Sequence, residues 1–341
     1  MTRIPAPKRI VLALAASFAL ATALADEAAL DPEVEAFVVE LVARHDLDAT
    51  TLRGVLLEAE LKPGIVERIS RPVERTLSWG EYRRIFLGAD RIAEGVRFVT
   101  GHRALLARAQ ATFGVPPEYV AAILGVETRY GTLSGDWRVL DALYTLGFHY
   151  PPRADFFRRE LEAFLLLAHE EGKDPRTLLG SYAGAMGWGQ FIPSSFRAYA
   201  VDFDGDGTRD IWANPEDAVG SIANYFAEHG WRPGGPVLRR VVVTDARAVE
   251  GIANRGLELQ SSVAELRRLG VEGLDVLSDA EAAGLWRVEG ESEEEFYATF
   301  GNFYVITRYN RSHLYALAVH DLAREIAVGL DFPGGGAVDG R

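Results

Sequence analysis

The feature that most constrains the fold is a long series of apolar residues at helical spacing, which begins at Asp31 and continues to about Phe113. Apolar side chains at positions i, i+3, i+4 and i+7 give a helix one face that must be buried. The first such stripe comprises Val34, Phe37, Val38, Leu41 and Val42. The second comprises Tyr82, Ile85, Phe86 and Ala89. The chain is therefore predicted to open with an α-helical unit.

Further helices and one change of character follow this opening unit. Helical patterns are predicted for residues 137–146, 154–170, 215–229 and 312–326. After Gly234-Gly235-Pro236, residues 237–244 are rich in β-branched side chains, and short segments up to about residue 300 are separated by glycine and charged residues. β-Branched residues favour strands, whereas glycine and proline mark turns. We therefore predict a mainly α protein of the α+β class with a small β or mixed subdomain.

The N-terminal residues 1–25 have the pattern of a secretory signal peptide, with cleavage expected after Ala25. Arg3, Lys8 and Arg9 are followed by an apolar run at residues 10–20 and by a small-residue site at residues 23–25. The apolar run is short for a membrane span, so we expect no stable membrane anchor, although an uncleaved N-terminal anchor is the alternative. The chain has no cysteine, which excludes disulfides and a lipid-bearing thiol. These features predict a soluble periplasmic protein.

The charge of the chain narrows the class of partner. Its formal net charge is −13, and removal of the three signal-peptide cations would make it more acidic. A strongly acidic protein is a poor match for a polyphosphate, so no nucleic acid partner is expected. With 48% hydrophobic residues, the chain has enough apolar surface to form a packed core. We expect it to act as a monomer.

One carboxylate lies on the apolar side of a short predicted helix. Prolines at 116–117 begin this helix, since proline suits the first turn. Helical spacing is then followed by Val120, Ile123, Leu124 and Glu127. Loss of water and the negative end of the helix dipole both favour the neutral form of a carboxyl at the last of these positions. We expect Glu127 to remain protonated near neutral pH, as general-acid cleavage of a glycosidic bond requires.

Glu127 also has a simpler interpretation, which is an ion pair with Arg129, Arg153 or another cation at a helix end. Gly125 and Gly131 lie on either side of the acid, and Gly131 is the expected end of the helix. Glycines at these positions would allow an extended polymer to approach the backbone closely. The local sequence alone leaves both interpretations open.

Several motifs in the same order resemble the membrane-bound lytic transglycosylase B family, glycoside hydrolase family 103. They comprise residues 125–131, 180–195, 201–207, 220–226 and 306–310. The resemblance covers about residues 30–325. It implies a lysozyme-like core, an α unit that includes the last helix, and a small inserted β unit. The division that we predict is an α unit at 26–113 plus 313–330, a core at 114–234 plus 301–312, a β or mixed subdomain at 235–300, and a flexible tail at 331–341.

The resemblance implies a non-hydrolytic cleavage of peptidoglycan. In this family the β-1,4 bond between N-acetylmuramic acid and N-acetylglucosamine is broken, and the muramic 6-hydroxyl closes onto the anomeric carbon to leave a 1,6-anhydro end. The single catalytic acid of the family falls on Glu127, which would first protonate the leaving oxygen and then deprotonate that hydroxyl. Most glycosidases use two carboxylates. Here the N-acetyl group of the substrate is expected to replace the second.

The same resemblance implies a set of substrate-binding residues around Glu127. Those near the scissile sugars are Ser181, Gln190, Tyr225, Tyr309, Asn310 and Tyr315. Met186 is expected to line the cleft, and Arg153 to face the charged periphery of the substrate. The alternatives are that Tyr225 and Tyr315 are core aromatics and that Ser181 is an ordinary loop hydroxyl. Trp188 could stack on a sugar ring or pack in the core, so it is not included in the predicted site.

An acidic loop at residues 202–217 has the opening pattern of a calcium site. Asp202, Asp204, Asp206 and Thr208 occupy alternate positions, and Gly207 permits a sharp turn. A regular calcium loop has glutamate at its twelfth position, where this chain has Ala213. We predict a structural Ca²⁺ at this loop and no organic cofactor.

The closing ligand of this loop is inferred from the resemblance, because in that family it comes from the following helix. This points to Asp217, with Glu216 as the second choice and Asp210 as an additional ligand. The alternative is a solvated acidic turn in which Asn214 caps the next helix and Asp217 completes a capping box.

Two other functions are compatible with these residues. One is a hydrolytic muramidase of lysozyme type, in which Asp136 or Asp155 positions a water molecule. The other is a calcium-stabilised scaffold that binds peptidoglycan without turnover, against which the presence of Glu127 and Tyr309-Asn310 argues. The sequence does not distinguish endo from exo cleavage.

Overall fold

The computed structural model describes residues 29–70 and 77–331. The predicted signal peptide and residues 332–341 of the predicted tail lie outside the described residues. The helices are α1 (Pro32–Arg44), α2 (Ala49–Leu57), α3 (Pro63–Ile69), α4 (Trp79–Phe86), α5 (Ala89–Gly101), α6 (Arg103–Phe113), α7 (Pro117–Thr128), α8 (Val139–His149), α9 (Ala154–Glu170), α10 (Pro193–Tyr199), α11 (Pro215–Glu228), α12 (Ala246–Val249), α13 (Val263–Arg268), α14 (Gly301–Tyr309) and α15 (His313–Asp331). A 3-10 turn, Pro151–Arg153, precedes α9.

The strands are short and lie in two separate sheets. They are β1 (Trp137–Arg138), β2 (Leu179–Gly180), β3 (Leu238–Val243), β4 (Ser261–Ser262), β5 (Val271–Glu272), β6 (Ala282–Glu289) and β7 (Glu294–Thr299). β1 and β2 pair antiparallel, with Trp137 opposite Gly180. The other five form an antiparallel sheet in the order β4-β6-β7-β3-β5. The predicted mainly α chain with a small sheet is confirmed.

The two predicted stripes of the opening unit have different outcomes. Four members of the first, on α1, are buried, and Val42 is partly buried. The second stripe is wrong, because Ile85 is 49% exposed and Ala89 is exposed too. α4 ends at Phe86 and α5 begins at Ala89, after Gly88, so Ala89 does not share a face with Tyr82 and Phe86. Ile85 lies within α4 itself, on the exposed side of that helix. Helical spacing predicts a common face only within one unbroken helix.

Most of the remaining helices match their predicted positions. α9 spans the predicted residues 154–170, and α11 ends one residue before the predicted position 229. The helix expected at 137–146 is α8, at residues 139–149, because residues 137–138 pair with β2 as a strand. The closing helix, α15, runs five residues beyond the predicted end at 326 and includes Asp331, which was assigned to the tail.

The centre of the molecule is formed by α7 and α15. α15 packs against α7, α5 and α4, so it belongs to the packing of both the opening helices and the central region. Eight of the twelve residues of α7 are buried, on all of its sides. A helix that is apolar on every side is typical of a protein interior. Glu127 therefore lies on a helix that is buried on all sides in the centre of the fold.

The five-stranded sheet has two different apolar faces, because side chains alternate along a strand. On β6, Ala283 and Leu285 belong to a small core of the sheet unit itself, together with Leu266 of α13. Trp286 and Val288 point the other way and pack into the main helical core. The sheet unit is thus attached to the helices by one face and closed by its own helices and loops on the other. No helix among the described residues is both long and apolar enough for a membrane span.

Candidate active site

Glu127 lies in the last turn of α7, where the chain reverses direction. α7 begins at Pro117, next to the extended Pro116, and is followed by three consecutive residues in the left-handed region: Arg129 (φ 50°), Tyr130 (φ 59°) and Gly131 (φ 86°). The Tyr130 amide donates to the Leu124 carbonyl at 2.9 Å and closes the helix end. Left-handed conformations at non-glycine residues are unfavourable and persist only where surrounding contacts impose them. The reversal therefore needs strong local support.

That support comes from neighbouring helices. The guanidinium of Arg129 donates two hydrogen bonds to Glu94 of α5, at 2.7 and 2.8 Å. The Tyr130 hydroxyl donates to the Arg91 carbonyl at 2.9 Å. Arg129, one of the cations considered as an ion-pair partner for Glu127, is thus engaged with Glu94. The other, Arg153, lies on the rings of Phe156 and Phe157, with its guanidinium carbon 4.3 and 5.1 Å from their centroids.

The two glycines beside Glu127 serve internal packing, not the approach of a polymer to the backbone. A Cβ at Gly125 would lie 2.6 Å from the Tyr130 hydroxyl, and one at Gly131 would lie 2.5 Å from the Trp188 ring. Gly131 also has a positive φ, which glycine adopts without strain. Our expectation for these glycines is corrected on this point, because their open sides are filled by aromatic side chains of the protein itself.

The Glu127 carboxyl is partly exposed and is held by a buried tyrosine from the far end of the chain. The Tyr315 hydroxyl, on α15, donates to Oε1 of Glu127 at 2.5 Å. Tyr315 is only 2% exposed. Burial and then the charge of Glu127 raise the pKa of Tyr315 well above its ordinary value. Tyr315 therefore remains a neutral hydrogen-bond donor, which orients the carboxyl and stabilises its ionised form.

Two further predicted tyrosines lie beside this pair. The Tyr309 hydroxyl donates to the Gly189 carbonyl and the Tyr225 hydroxyl to the Arg308 carbonyl, both at 2.6 Å. Their rings are 4.8 Å apart in an edge-on arrangement. Burial raises the pKa of Tyr309 well above its ordinary value, and the charge of Glu127 adds to this effect. The two tyrosines therefore position backbone segments of the site, in addition to any contact with a ligand.

The glycine-rich segment 180–191 forms a tight loop next to α7. Ser181 Oγ accepts from the amides of Ala183 and Ala185, at 3.3 and 3.0 Å. Gln190 has a positive φ of 50°, and its side-chain amide donates to the Gly187 carbonyl at 2.9 Å. Met186 is fully buried, so its side chain does not line an open cleft as expected. The backbone of Met186 instead forms two hydrogen bonds with that of Phe191, one through its amide and one through its carbonyl, and these bonds hold the loop in place.

One residue that the sequence analysis did not identify joins this loop to α7. Thr128, directly after Glu127, is 1% exposed and donates from its hydroxyl to the Trp188 carbonyl at 2.8 Å. The same hydroxyl oxygen accepts from the Gly131 amide at 3.0 Å. A buried threonine in the last turn of a helix is the only sequence signal for this role. Thr128 therefore sets the distance between the Glu127 turn and the loop.

The remaining predicted site residues are less closely connected. Asn310 is partly exposed and follows α14, where its carbonyl accepts from the Ser312 amide at 2.7 Å. Arg153 is exposed at the end of the 3-10 turn. Asp155, a candidate for positioning water, is paired with Arg158 at 3.3 Å. Asp136, the other such candidate, lines a separate cavity of about 380 Å³ with Trp137 and other residues.

The acidic loop brings three of the predicted ligands together. Carboxylate oxygens of Asp202, Asp204 and Asp217 all lie within 4.8 Å of one another. Oxygens that share one Ca²⁺ at about 2.3–2.6 Å are separated by no more than about 5 Å, so this spacing fits the ion. Asp206 instead accepts from the amide and the hydroxyl of Thr208, at 2.9 and 2.8 Å. These two predicted ligands therefore bind each other in this structure.

The closing carboxylate expected from the next helix is well defined. Asp217 is fully buried and accepts from the amides of Phe203 and Asp210, both at 2.7 Å. Burial raises the pKa of Asp217, and the nearby charge of Asp204 adds to this effect, while the two amides oppose it. Glu216, the second choice, is paired with Arg108. Asn214 caps α11 through the Glu216 amide, whereas both oxygens of Asp217 are used elsewhere. The capping box of the alternative interpretation is therefore not formed.

The fold and this site together define a lysozyme-like enzyme of the lytic transglycosylase class. The chain belongs to the family described as "Transglycosylase SLT domain", whose profile matches residues 29–324. The predicted family resemblance is thereby confirmed.

Individual relatives agree with this assignment. The chain is 39% identical over 307 residues to membrane-bound lytic murein transglycosylase B of Escherichia coli strain K12, which covers 87% of this chain and 83% of the relative. It is similar to the crystal structure of the soluble lytic transglycosylase SltB1 from Pseudomonas aeruginosa, with 49% identity, a TM-score of 0.84, and 87% and 99% of the two chains covered. It is also similar to the Escherichia coli lytic transglycosylase Slt35 in complex with calcium, with 38% identity, a TM-score of 0.81, and coverage of 88% and 94%.

Proposed function

We propose that this protein cleaves the β-1,4 bond between N-acetylmuramic acid and N-acetylglucosamine in peptidoglycan and leaves a 1,6-anhydromuramic end. The observation that carries the proposal is the hydrogen bond from Tyr315 to Glu127, in a turn enclosed by the loop 180–191. A single carboxyl with a neutral donor is suited to act in both protonation states. The relatives, which are named as lytic transglycosylases, support the same reaction.

In the first step, the protonated Glu127 carboxyl gives its proton to the oxygen of the leaving sugar, and the glycosidic C–O bond breaks. The carboxylate that results is stabilised by the Tyr315 hydroxyl, which donates to Oε1. The N-acetyl oxygen of the muramic residue stabilises the anomeric carbon in the interval. In the second step, Glu127 takes the proton of the muramic 6-hydroxyl, whose oxygen bonds to the anomeric carbon. The acid is regenerated and no water is consumed.

The other predicted residues are assigned to binding and to the shape of the site. Ser181, Gln190, Tyr225, Tyr309 and Asn310 are proposed to surround the scissile sugars. The side chains of the first four already hold backbone segments in the loop and at the end of α14, so the shape of the site is fixed before a glycan binds. Arg153, whose exposed guanidinium lies on Phe156, is proposed to face the charged groups of the stem peptide.

A structural Ca²⁺ is proposed at the acidic loop, with Asp202, Asp204 and Asp217 as its carboxylate ligands. The convergence of these three oxygens supports the site, as does the calcium complex of Slt35. The ion would offset the repulsion among the three carboxylates and hold the start of α11, which carries Tyr225. We further propose that the mature protein acts as a monomer in the periplasm, where its substrate is located.

The test is digestion of purified sacculi followed by mass spectrometry of the released muropeptides. The proposal expects 1,6-anhydro products from the wild type and none above background from the Glu127→Gln variant. Reducing ends carrying one added water would instead support the hydrolytic alternative. Binding of sacculi without any release of soluble fragments would support the scaffold alternative.

A further inference from the structure

A cavity of about 410 Å³ lies between α14 and the segment 255–260 of the sheet unit. Tyr304 and Arg308 line it from one side of α14, at the helical spacing i and i+4, and Arg311 lines it from the short segment after this helix. Tyr309 is rotated by about 100° from Arg308 and packs toward the glycine-rich loop. The cavity is therefore next to the proposed active site but separate from it.

The cavity concentrates positive charge in an acidic protein. Arg255, Arg308 and Arg311 all line it and are all exposed. Within residues 29–70 and 77–331, no carboxylate comes within 4.0 Å of their guanidinium groups, whereas Arg232 and Arg267 of the same region each form an ion pair. Guanidinium groups match carboxylates in shape and charge and can bind them with two hydrogen bonds. A cluster of three arginines that form no ion pair with another described residue is suited to a carboxylate ligand.

The other polar groups of the cavity limit the class of anion. Glu258 and Gln260 line it on the side of the sheet unit. A carboxylate in the lining would repel a polyanion, whereas it can accept hydrogen bonds from amide or ammonium groups. This mixture of three cations, one anion and one amide fits a peptide that carries carboxylates together with N–H donors. It fits a polyphosphate poorly.

Two arginines of the cavity are close in the chain to residues that contact the Glu127 turn and the loop beside it, since Arg308 precedes Tyr309 and Arg311 lies shortly before Tyr315. Arg311 precedes Tyr315 by four residues, so their Cα atoms are no more than about 15 Å apart. Tyr315 is hydrogen-bonded to Glu127. A fully extended pentapeptide spans up to about 17 Å. The P. aeruginosa relative SltB3, 31% identical to this chain, is known in complex with NAG-anhNAM-pentapeptide.

We propose that this arginine cavity binds the carboxylate groups of a peptidoglycan stem peptide while the glycan lies at Glu127. The proposal rests on the proposed function for its choice of ligand. The cavity makes the enzyme prefer glycan that carries peptide stems. Arg255 and Arg311 bind the carboxylates, Arg308 adds charge, and Glu258 accepts from the peptide N–H groups.

The test uses the full chain with Glu127→Gln, which prevents turnover, and calorimetric titration with three probes. These are a disaccharide-pentapeptide, the same compound with its carboxylates converted to amides, and the peptide-free disaccharide. We expect amidation to weaken binding by about tenfold, which corresponds to loss of two charge-assisted contacts at a half-exposed site. The added R255Q and R311Q substitutions are expected to cause the same loss for the intact pentapeptide and no change for the peptide-free disaccharide.

The matched control is R247Q, an exposed arginine of the same unit that does not line the cavity. It is expected to bind all three probes as the parent does. Equal affinity for the intact and amidated pentapeptides would overturn the proposal, as would an equal loss for all probes in the double variant. Competition by inorganic phosphate at the same concentration as the peptide would show a general anion site and would also overturn it. Failure of the wild type to produce anhydro ends would refute the proposed function alone, because the binding comparison needs no cleavage.

Discussion

The Glu127 site and the acidic loop place carboxylates in opposite environments. At the end of α7, one carboxyl is held by a neutral buried hydroxyl, that of Tyr315. In the loop, carboxylates of Asp202, Asp204 and Asp217 converge within 4.8 Å, with Asp217 fully buried. A neutral partner permits a carboxyl to change its charge during a reaction, whereas converging carboxylate oxygens are suited to bind a cation. The surroundings of a carboxylate therefore decide whether it is suited to proton transfer or to metal binding.

The largest expected effect comes from removing the titratable group at Glu127. Glu127→Gln keeps the shape and an acceptor for Tyr315 but cannot transfer a proton, so release of soluble muropeptides should fall by at least about 10²–10⁴-fold. The melting temperature should stay within about 2 °C of the wild type. Asp136→Asn is the matched control, because Asp136 is an exposed acid of the same region. Equal activity losses in the two variants would contradict the role of Glu127 as the sole acid.

The next largest effect is expected from the neutral donor. Tyr315→Phe removes the hydroxyl that stabilises the Glu127 carboxylate, and a hydrogen bond to a charged group contributes about 1.5–3 kcal/mol. We expect kcat to fall by about 10- to 100-fold with little change in KM. Tyr309→Phe removes a hydroxyl that donates to the Gly189 carbonyl. We therefore expect this substitution mainly to lower the free energy of unfolding, with a smaller effect on kcat. A change of KM with an unchanged kcat in Tyr315→Phe would contradict the role of Tyr315 as the neutral donor to the Glu127 carboxylate.

Removal of the ion from the acidic loop should lower the stability of the fold, because the loop takes no part in the proposed catalytic step. An ion present at about 100 times its dissociation constant stabilises the fold by about 2.7 kcal/mol, so a chelator should lower the melting temperature by several degrees. Asp217→Asn should remove this response to chelator, whereas Glu216→Gln should retain it, because Glu216 is paired with Arg108. An unchanged melting temperature of the wild type on chelation would reject the ion.

The smallest effect concerns the start of α15, two residues before Tyr315. His313 stacks on Trp286, with ring centroids 4.1 Å apart, and burial lowers the pKa of His313 from its ordinary value near 6.5 to about 4. The unfolded chain therefore binds more protons than the folded one between pH 6.5 and 4. The free energy of unfolding therefore contains a contribution from neutral His313 that is fully present above pH 6.5. This contribution, at most about 3 kcal/mol, is lost as the pH falls toward 4.

His313→Phe keeps the stacking surface but does not titrate. Its free energy of unfolding in urea should fall less than that of the wild type between pH 7 and pH 4.5. The same measurement sharpens the comparison of the two carboxylate sites. It separates the loss of stability that protonation of His313 causes at the start of α15 from any effect of protonating Glu127 itself. An identical fall in the two proteins would show that His313 does not contribute.

The sequence alone determined the features that depend on neighbours in the chain. Helical spacing predicted α9 and α11 almost to the residue and the buried face of α1, because a continuous helix repeats its face every 3.6 residues. The proline start of α7 and the position of Glu127 in its last turn followed from the same local rules. Spacing failed at Ala89, where a break between two helices interrupted the repeat, and at Ile85, which lies on the exposed side of α4.

The tertiary structure alone decided which distant groups meet. Tyr315 is separated from Glu127 by 188 positions, and only the packing of α15 on α7 brings its hydroxyl to the carboxyl. Packing likewise filled the space beside Gly125 and Gly131, buried Met186, and selected Asp217 over Glu216 in the acidic loop. Local rules describe how one segment folds, whereas these outcomes depend on which surfaces of separate segments are complementary in shape.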